Sequence, residues 1–165
     1  MDCSMPNILE FGLDGNFYAM DIHITREIVE FLPLTPIPRT PGYIAGMTNI
    51  RGEITTIIAI SELIGATAGN TGPASQKFII FMPGPARGEN IGVMVDEVYS
   101  VIEVPEQAIE YTENRGEGTI KSFIKGIIRV SDDSGEKEGS RVSQRLVLYL
   151  DIEKLLSYLF EMASR

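Results

Sequence analysis

The chain has few of the residues on which most catalytic and metal sites depend. It contains one cysteine, Cys3, and one histidine, His23, among 165 residues. A single cysteine excludes an intrachain disulfide and is compatible with a reducing compartment. A single histidine excludes a metal triad built on histidine, and a histidine without such companions is far more often structural than catalytic.

Sequence motifs of common enzyme classes are also missing. No glycine is followed by Lys-Ser or Lys-Thr, and no Gly-x-Ser-x-Gly occurs, so the phosphate loop and the nucleophile elbow are both absent. Four carboxylates near residue 135 lack the spacing of a calcium-binding loop. The sequence therefore predicts a protein that is not an enzyme and holds neither a cofactor nor a metal.

Positive charge and long apolar runs are scarce as well. Lys and Arg number 14 against 23 Asp and Glu, which gives a net charge of −9. Such a chain repels a phosphate backbone, so we expect no nucleic-acid partner. No stretch of about 18 apolar residues occurs, and the N-terminus lacks the pattern of a signal peptide. We therefore expect a cytoplasmic protein without direct membrane insertion.

The remaining pattern is mostly that of short β-strands. Leu9, Phe11 and Leu13 alternate with polar or small residues, and Asp14-Gly15 is a strong hairpin turn. Between residues 91 and 104 the apolar positions change from odd to even numbers, which predicts a bulge or bend near Asp96-Glu97. Residues 23–31 fit either a helix or a strand.

The elements group into two β-rich halves and one clear helix. The halves are expected at 8–65 and 77–160, within a single domain over 1–165, and terminal elements could cross between them. The polar segments 66–76 and 131–144 read as loops. Apolar residues at helical spacing predict an amphipathic C-terminal helix capped by Asp151: Ile152, Leu155, Leu156, Leu159 and Phe160.

The segment from Pro36 to Gly65 reads as a rigid displayed surface. Thr40 and Pro41 suit the start of a short helix, and Gly46 suits the left-handed residue that would end it. Arg51 lies near a strand end, where its five donors could meet a carboxylate of another protein. The alternatives are an internal salt bridge or a carbonyl-capping role for Arg51.

Five segments, in this order, carry a resemblance to a known family. The central one has Tyr-Ile-x-Gly at 43–46, then Asn-Ile-Arg-Gly at 49–52, a strand, and a short helix that ends in Gly65. The other four are Asp21-Ile22 with Arg26-Glu27-Ile28, then Ile91–Val98, Phe123–Gly126 and Leu148–Leu156. Together they resemble the CheW family, the chemotaxis coupling proteins, over about residues 8 to 158. The chain departs from the family pattern at Ala59, where an Asp is common, and in the polar insertion at 131–144.

The resemblance implies a fold and a function. The fold would be mainly β, with two side-by-side SH3-like five-stranded barrels, short helices and the C-terminal helix. The function would be that of an adaptor joining the regulatory domain of a CheA-type histidine kinase to the cytoplasmic tip of a chemoreceptor.

The resemblance also implies site residues. Glu27 and Gly46 would lie at or near the kinase-facing side, whereas Arg51, Val98 and Val101 would serve the receptor groove or its rim. The residue types alone allow simpler roles: a solvated Glu27, a helix stop at Gly46, and core packing for the two valines.

Two other classes of function compete with the adaptor. One is a small-barrel module that binds oligonucleotides or sugars, which would need aromatic platforms and a basic groove. The other is an enzyme with a cryptic carboxylate site. A deep pocket lined by perturbed acids would favour the enzyme, and a shallow apolar groove would favour the adaptor.

Overall fold

The computed structural model describes residues 6–64, 76–112, 123–132 and 143–163. Strand-forming sequence dominates these residues, and the chain order of elements is as follows. The helices and strands are β1 (Asn7–Leu13), β2 (Asn16–Asp21), β3 (Thr25–Glu30), β4 (Ile44–Ile50), β5 (Glu53–Ala59), α1 (Ile60–Ile64), β6 (Lys77–Phe81), β7 (Ile91–Val95), β8 (Glu97–Glu103), β9 (Ile109–Tyr111), β10 (Ile124–Asp132), β11 (Ser143–Leu150) and α2 (Ile152–Ala163).

In the described residues the strands form two mixed sheets. The first sheet has five strands in the order β3-β6-β7-β5-β4, and the second has six in the order β8-β1-β2-β11-β10-β9. Each contains one parallel pair, β5 with β7 and β11 with β2. The mainly β fold is confirmed, with one correction: the second sheet has six strands, because the three-residue β9 adds to the edge of β10.

The chain passes from one sheet to the other at two short junctions. A 3₁₀ turn at Ile22–Ile24 joins β2 of the second sheet to β3 of the first, and Asp96 alone joins β7 to β8. The bend expected near Asp96 is therefore found, at the point where the strand changes sheet. The first sheet is one continuous stretch, 25–95, inserted into the second. The strands thus do not pair within the expected halves 8–65 and 77–160, because β1 and β2 join the later strands while β6 and β7 join the earlier ones.

The edges of the first sheet are brought together by the chain that follows β3. Thr35 and Met47 of β4 exchange two backbone hydrogen bonds of 2.8 and 2.9 Å. Since β3 and β4 are the two edge strands, this bridge curls the sheet toward a closed barrel. In the second sheet, the edge strands β8 and β9 are consecutive in the chain and joined by residues 104–108 alone. That short connection draws its edges together as well.

Apolar residues pack in three clusters that follow from the strand alternation. One lies on the inner side of the first sheet and includes Ile50, Ile57, Phe78 and Ile80. A second lies on the inner side of the second sheet and includes Ile8, Ala19, Val147 and Tyr149. The largest fills the space between the sheets and under α2, and its members include Leu9, Phe11, Ile58, Val93 and Leu155.

The C-terminal helix forms as the spacing predicts. The Asp151 carboxylate accepts a 3.0 Å hydrogen bond from the Lys154 backbone N–H, which caps α2. Ile152, Leu155, Leu156 and Leu159 are all buried against the central cluster. The helix is therefore part of the body of the chain.

The structure tests two local predictions, one at residues 23–31 and one at residues 40–46. Residues 23–31, left open between helix and strand, end the 3₁₀ turn and then form β3. The short helix expected from Thr40 to Gly46 is wrong: residues 38–43 are turn and coil, and Gly46 lies within β4. The expected loops at 66–76 and 131–144 fall largely outside the described residues, although 131–132 belong to β10 and 143–144 to β11.

Candidate functional site

Arg51 is displayed by a tight hairpin turn between β4 and β5. Ile50 pairs with Glu53, so the turn consists of Arg51 and Gly52, whose φ angles are 53° and 84°. Two successive positive φ angles are typical of the two-residue turns that match the twist of a hairpin. The Asn49 side-chain oxygen accepts a 2.8 Å hydrogen bond from the Gly52 N–H and fixes this geometry. The Asn-x-Arg-Gly motif thus builds the turn that presents the arginine.

Arg51 forms an ion pair with Glu27 across the seam of the first sheet, the line along which the edge strands β3 and β4 approach each other. The distance from Arg51 Nη2 to Glu27 Oε2 is 3.0 Å, and the two side chains are 79% and 17% exposed. A second pair, Arg26 with Glu53 at 3.8 Å, crosses the same seam. The internal salt bridge considered for Arg51 is therefore present. Because Arg51 keeps most of its surface in solvent, its remaining donors still face outward.

Gly46 allows the close approach that closes the first sheet. Its φ of 150° lies outside the range that L side chains usually adopt. A Cβ built there would lie 2.8 Å from the Thr35 carbonyl oxygen. The register between β4 and β5 shifts between Ile44 and Gly46, which marks a bulge. The glycine therefore has a structural role in β4, and its kinase-facing role stays a prediction.

Val98 and Val101 lie on edge strand β8 and face the same side of the second sheet. Val98 is opposite Phe11, and Val101 is opposite Leu9. Cross-strand partners share a face, and both β1 residues belong to the cluster between the sheets. Val98 packs against that cluster, whereas Val101 is 50% exposed. Core packing, the simpler role considered for both valines, therefore applies to Val98 in part and does not apply to Val101.

The five expected site residues fall into three places. Glu27 and Arg51 meet at the seam of the first sheet, Gly46 lies against the bridging chain in β4, and Val98 and Val101 lie on the second sheet. The ion pair joins two residues that the resemblance assigns to different partners. A change at either residue therefore alters the surroundings of the other.

The cavities favour a binding surface over an acidic active site. One cavity of about 310 Å³ lies between α2 and the first sheet, and its walls are mostly apolar. Its lining residues are Tyr43, Ile44, Thr56, Ile58, Glu89, Ile91, Leu156, Leu159 and Phe160. Glu89 is the single carboxylate among them. Burial raises the pKa of Tyr43, and the nearby Tyr158 raises it further.

The described residues contain no cluster that would hold a metal ion. Within 6–64, 76–112, 123–132 and 143–163, no group of three or more His, Cys, Asp or Glu has suitable geometry. A second cavity of about 370 Å³ is lined by Gly84, Pro85, Arg87, Glu153 and Ser157, which mixes one cation and one anion. In the same part of the chain, no helix is long and apolar enough to cross a membrane.

Sequence reasoning missed two polar groups in the second sheet. Arg145 donates two hydrogen bonds, of 2.9 and 2.7 Å, to the fully buried Glu10. Asp21 accepts hydrogen bonds from the Tyr149 hydroxyl and, at 3.0 Å, from Lys125 Nζ. The alternation of Leu9, Phe11 and Leu13 places Glu10 on the other face of β1, which by pattern indicates solvent. The signal that could have been used is Ile8, an apolar residue that shares the face of Glu10 and is buried in the cluster of the second sheet.

The fold and the site together define a class of protein. Two mixed sheets and a terminal helix share one core, and they display an arginine turn and an edge strand with a half-exposed valine. These features define a mainly β protein built on two mixed sheets. The model of the CheW-like domain family matches residues 7–160. The chain belongs to this family, whose members are adaptors without catalytic activity. The resemblance read from the sequence is confirmed.

Relatives and a solved structure match nearly the whole chain. The chemotaxis protein CheW of Thermotoga maritima is 24% identical over 151 residues, 90% of this chain and 86% of the relative. The chemotaxis protein CheW of Treponema pallidum is 25% identical over 150 residues, 91% of this chain and 81% of the relative. The crystal structure of the scaffolding protein TtCheW from Thermoanaerobacter tengcongensis superposes with a TM-score of 0.70 at 26% identity, covering 89% of both chains.

Proposed function

We propose that this chain is a chemotaxis adaptor that couples a CheA-type histidine kinase to the cytoplasmic tip of chemoreceptors. The observation that carries the proposal is the match to the CheW-like domain family over residues 7–160. The relatives that are named chemotaxis proteins support the process. We infer that the chain acts in the cytoplasm, where both the kinase and the receptor tip would be within its reach.

The receptor-facing group consists of Arg51, Val98 and Val101. Arg51 is 79% exposed on a rigid turn, so its guanidinium can meet a carboxylate on a helical hairpin. Val101 is half exposed on an edge strand, so its side chain is accessible for an apolar contact with a partner. Arg51 and the valines lie on different sheets, so each would contact the receptor separately, through a charged contact and an apolar contact that an amphipathic helix can supply.

The kinase-facing group consists of Glu27 and Gly46. Both lie in the first sheet, on the strands that the Thr35–Met47 bridge brings together. Gly46 keeps that backbone approach close. A β module of the kinase would dock on a surface whose shape depends on this closure.

Coupling of this kind does not require the adaptor to make or break covalent bonds. A protein that holds receptor and kinase together shifts the kinase toward the state in which their contacts are better. The adaptor therefore has to bind both partners at once and keep its two docking surfaces in a fixed relation. The core shared by the two sheets and α2 supplies that rigidity.

The test is reconstitution of the complex from chemoreceptor-containing membranes, a CheA-type kinase and this protein. We expect the protein to raise kinase autophosphorylation when receptors are present and to have no effect without them. Arg51→Ala should reduce this activation, whereas Arg129→Ala should preserve it. Arg129 is a matched control, because it is 62% exposed and pairs with Glu110 at 3.4 Å in the second sheet. A lack of binding to both kinase and receptor, with single-stranded nucleic acid or sugar bound instead, would overturn the proposal.

A further inference from the structure

Strand β8 carries a bulge at the point that decides where its valines face. Between Val98 and Val101, β8 has two residues, Tyr99 and Ser100, opposite the single residue Glu10 of β1. In a regular strand, residues three apart point to opposite faces. The extra residue reverses this phase, so that both valines point to one side. The geometry of the candidate receptor surface thus depends on the bulge.

Tyr99, one of the two bulge residues, rests on a seat formed by β1 and β2. A Cβ on Gly12 would lie 2.8 Å from the Tyr99 hydroxyl oxygen and 3.1 Å from its ring, so the ring occupies the space that a side chain would fill. The Phe17 ring, from the strand next to β1, lies 5.4 Å from the Tyr99 ring between centroids. Tyr99 is 46% exposed, and its partial burial raises its pKa, which a hydrogen bond with Glu97 raises further.

The seat is supported by the ion pair that Arg145 forms with the buried Glu10. The Arg145 guanidinium lies 5.2 Å from the centre of the Phe17 ring while it holds both oxygens of Glu10. Glu10 is the residue that faces the bulge, and its side chain is 1% exposed. The Tyr99 seat is therefore Gly12 and Phe17, and the ion pair of Glu10 with Arg145 supports it. Rigid backing of this kind favours one arrangement of the bulge over a regular ladder.

We propose that Tyr99 is a positioning residue, which the Tyr99 seat locks in place so that Val98 and Val101 face the receptor together. Tyr99 need not touch the receptor itself. Its ring fixes the bulge, and the bulge fixes the two valines. This inference rests on the proposed function, because the valines matter only if they bind the receptor.

Two substitutions remove the ring from the seat by different routes. Tyr99→Ala deletes the ring. Gly12→Ala adds a methyl group that displaces it, with no backbone strain because Gly12 is not among the glycines with positive φ. Each should weaken binding to a receptor cytoplasmic fragment by about tenfold or more, while affinity for the kinase regulatory domain changes by less than about twofold. Tyr99→Phe, which keeps the ring, should retain receptor affinity.

A double mutant separates this mechanism from general loss of stability. If Gly12→Ala acts through Tyr99, then adding it to Tyr99→Ala should weaken receptor binding no further. Methyl NMR gives a readout that needs no receptor. Contacts between the Val101 methyl groups and Leu9 should be lost in both single variants and kept in Tyr99→Phe.

The outcomes distinguish the inference from the function on which it rests. If Val101→Glu weakens receptor binding but Tyr99→Ala and Gly12→Ala do not, the positioning role is overturned and the proposed function stands. If Val101→Glu has no effect, the receptor assignment itself fails, and the methyl contacts alone then decide whether Tyr99 sets the bulge. Parallel loss of kinase and receptor affinity in the ring variants would also overturn the positioning role.

Discussion

The two sheets of this chain reach similar shapes by different means. The first sheet has an apolar inner cluster, and its seam is closed by the Thr35–Met47 bridge and by ion pairs whose arginines are exposed. The second encloses Glu10, which pairs with Arg145, and Asp21 in this sheet accepts hydrogen bonds from Tyr149 and Lys125. Surface pairs contribute little to stability, whereas buried pairs are strongly destabilising to break. The second sheet should therefore be sensitive to single polar substitutions, and the first should be sensitive to backbone changes.

The largest expected effect is on the buried pair of the second sheet. Arg145→Ala leaves the fully buried Glu10 carboxylate without its cation, and we expect the free energy of unfolding to fall by about 3 to 5 kcal/mol. Replacing both residues by methionine should cost less than this single change, because the buried carboxylate is removed together with its cation. Urea denaturation measures both. A loss below about 1 kcal/mol for Arg145→Ala would mean that Glu10 is not enclosed as described.

The second largest loss of stability is expected when the Tyr149 hydroxyl is removed from the second sheet. Tyr149→Phe leaves Asp21 short of one donor, and we expect a loss of about 1 to 3 kcal/mol. Burial, and then the hydrogen bond to Asp21, raises the pKa of Tyr149 in the folded protein. Since folding favours the protonated form, this contribution is complete below the ordinary tyrosine value of about 10 and declines as the pH rises above it. The decline in stability above this pH should be shallower in Tyr149→Phe, and an identical slope would contradict the assignment.

The backbone of the first sheet is tested at Gly46. Gly46→Ala places a methyl group against the Thr35 carbonyl at a φ that alanine disfavours, and we expect a loss of about 1 to 3 kcal/mol. Gly42→Ala is the matched control, because a Cβ there meets nothing within 4 Å. Thermal melting compares the two. Equal melting temperatures would show that the seam tolerates a wider approach.

The smallest effect on stability is expected at the surface pair of the first sheet. Arg51→Ala should lower the free energy of unfolding by less than about 1 kcal/mol, because the arginine is 79% exposed. Arg129→Ala should behave in the same way. A loss of several kcal/mol at Arg51 would show that the ion pairs, rather than the backbone bridge, hold the first sheet closed.

Local elements of the fold could be predicted from the sequence. The spacing of Ile152, Leu155 and Leu159 predicts α2, and Asp14-Gly15 predicts the hairpin between β1 and β2. The change of phase near Asp96 marked the junction between the sheets. These signals depend on neighbours in the chain, so they survive without knowledge of the tertiary structure.

Long-range pairings could not be predicted in the same way. Nothing in β1 shows that it pairs with β8, so the bulge at Tyr99 and the burial of Glu10 stay hidden until both strands are placed. The helix end predicted at Gly46 is wrong, because a helix end and a bulge both favour glycine. The candidate residues came from the family motif, and their partner roles are still predictions.

The most direct test of the adaptor account compares two apolar residues of the second sheet. Val101 is 50% exposed on β8 and Leu146 is 57% exposed on β11, so a glutamate at either position should be tolerated by the fold. The measurement is receptor-dependent autophosphorylation of a CheA-type kinase in the reconstituted complex. The account predicts that Val101→Glu abolishes the activation and that Leu146→Glu preserves it. Equal activation by the two variants would contradict it.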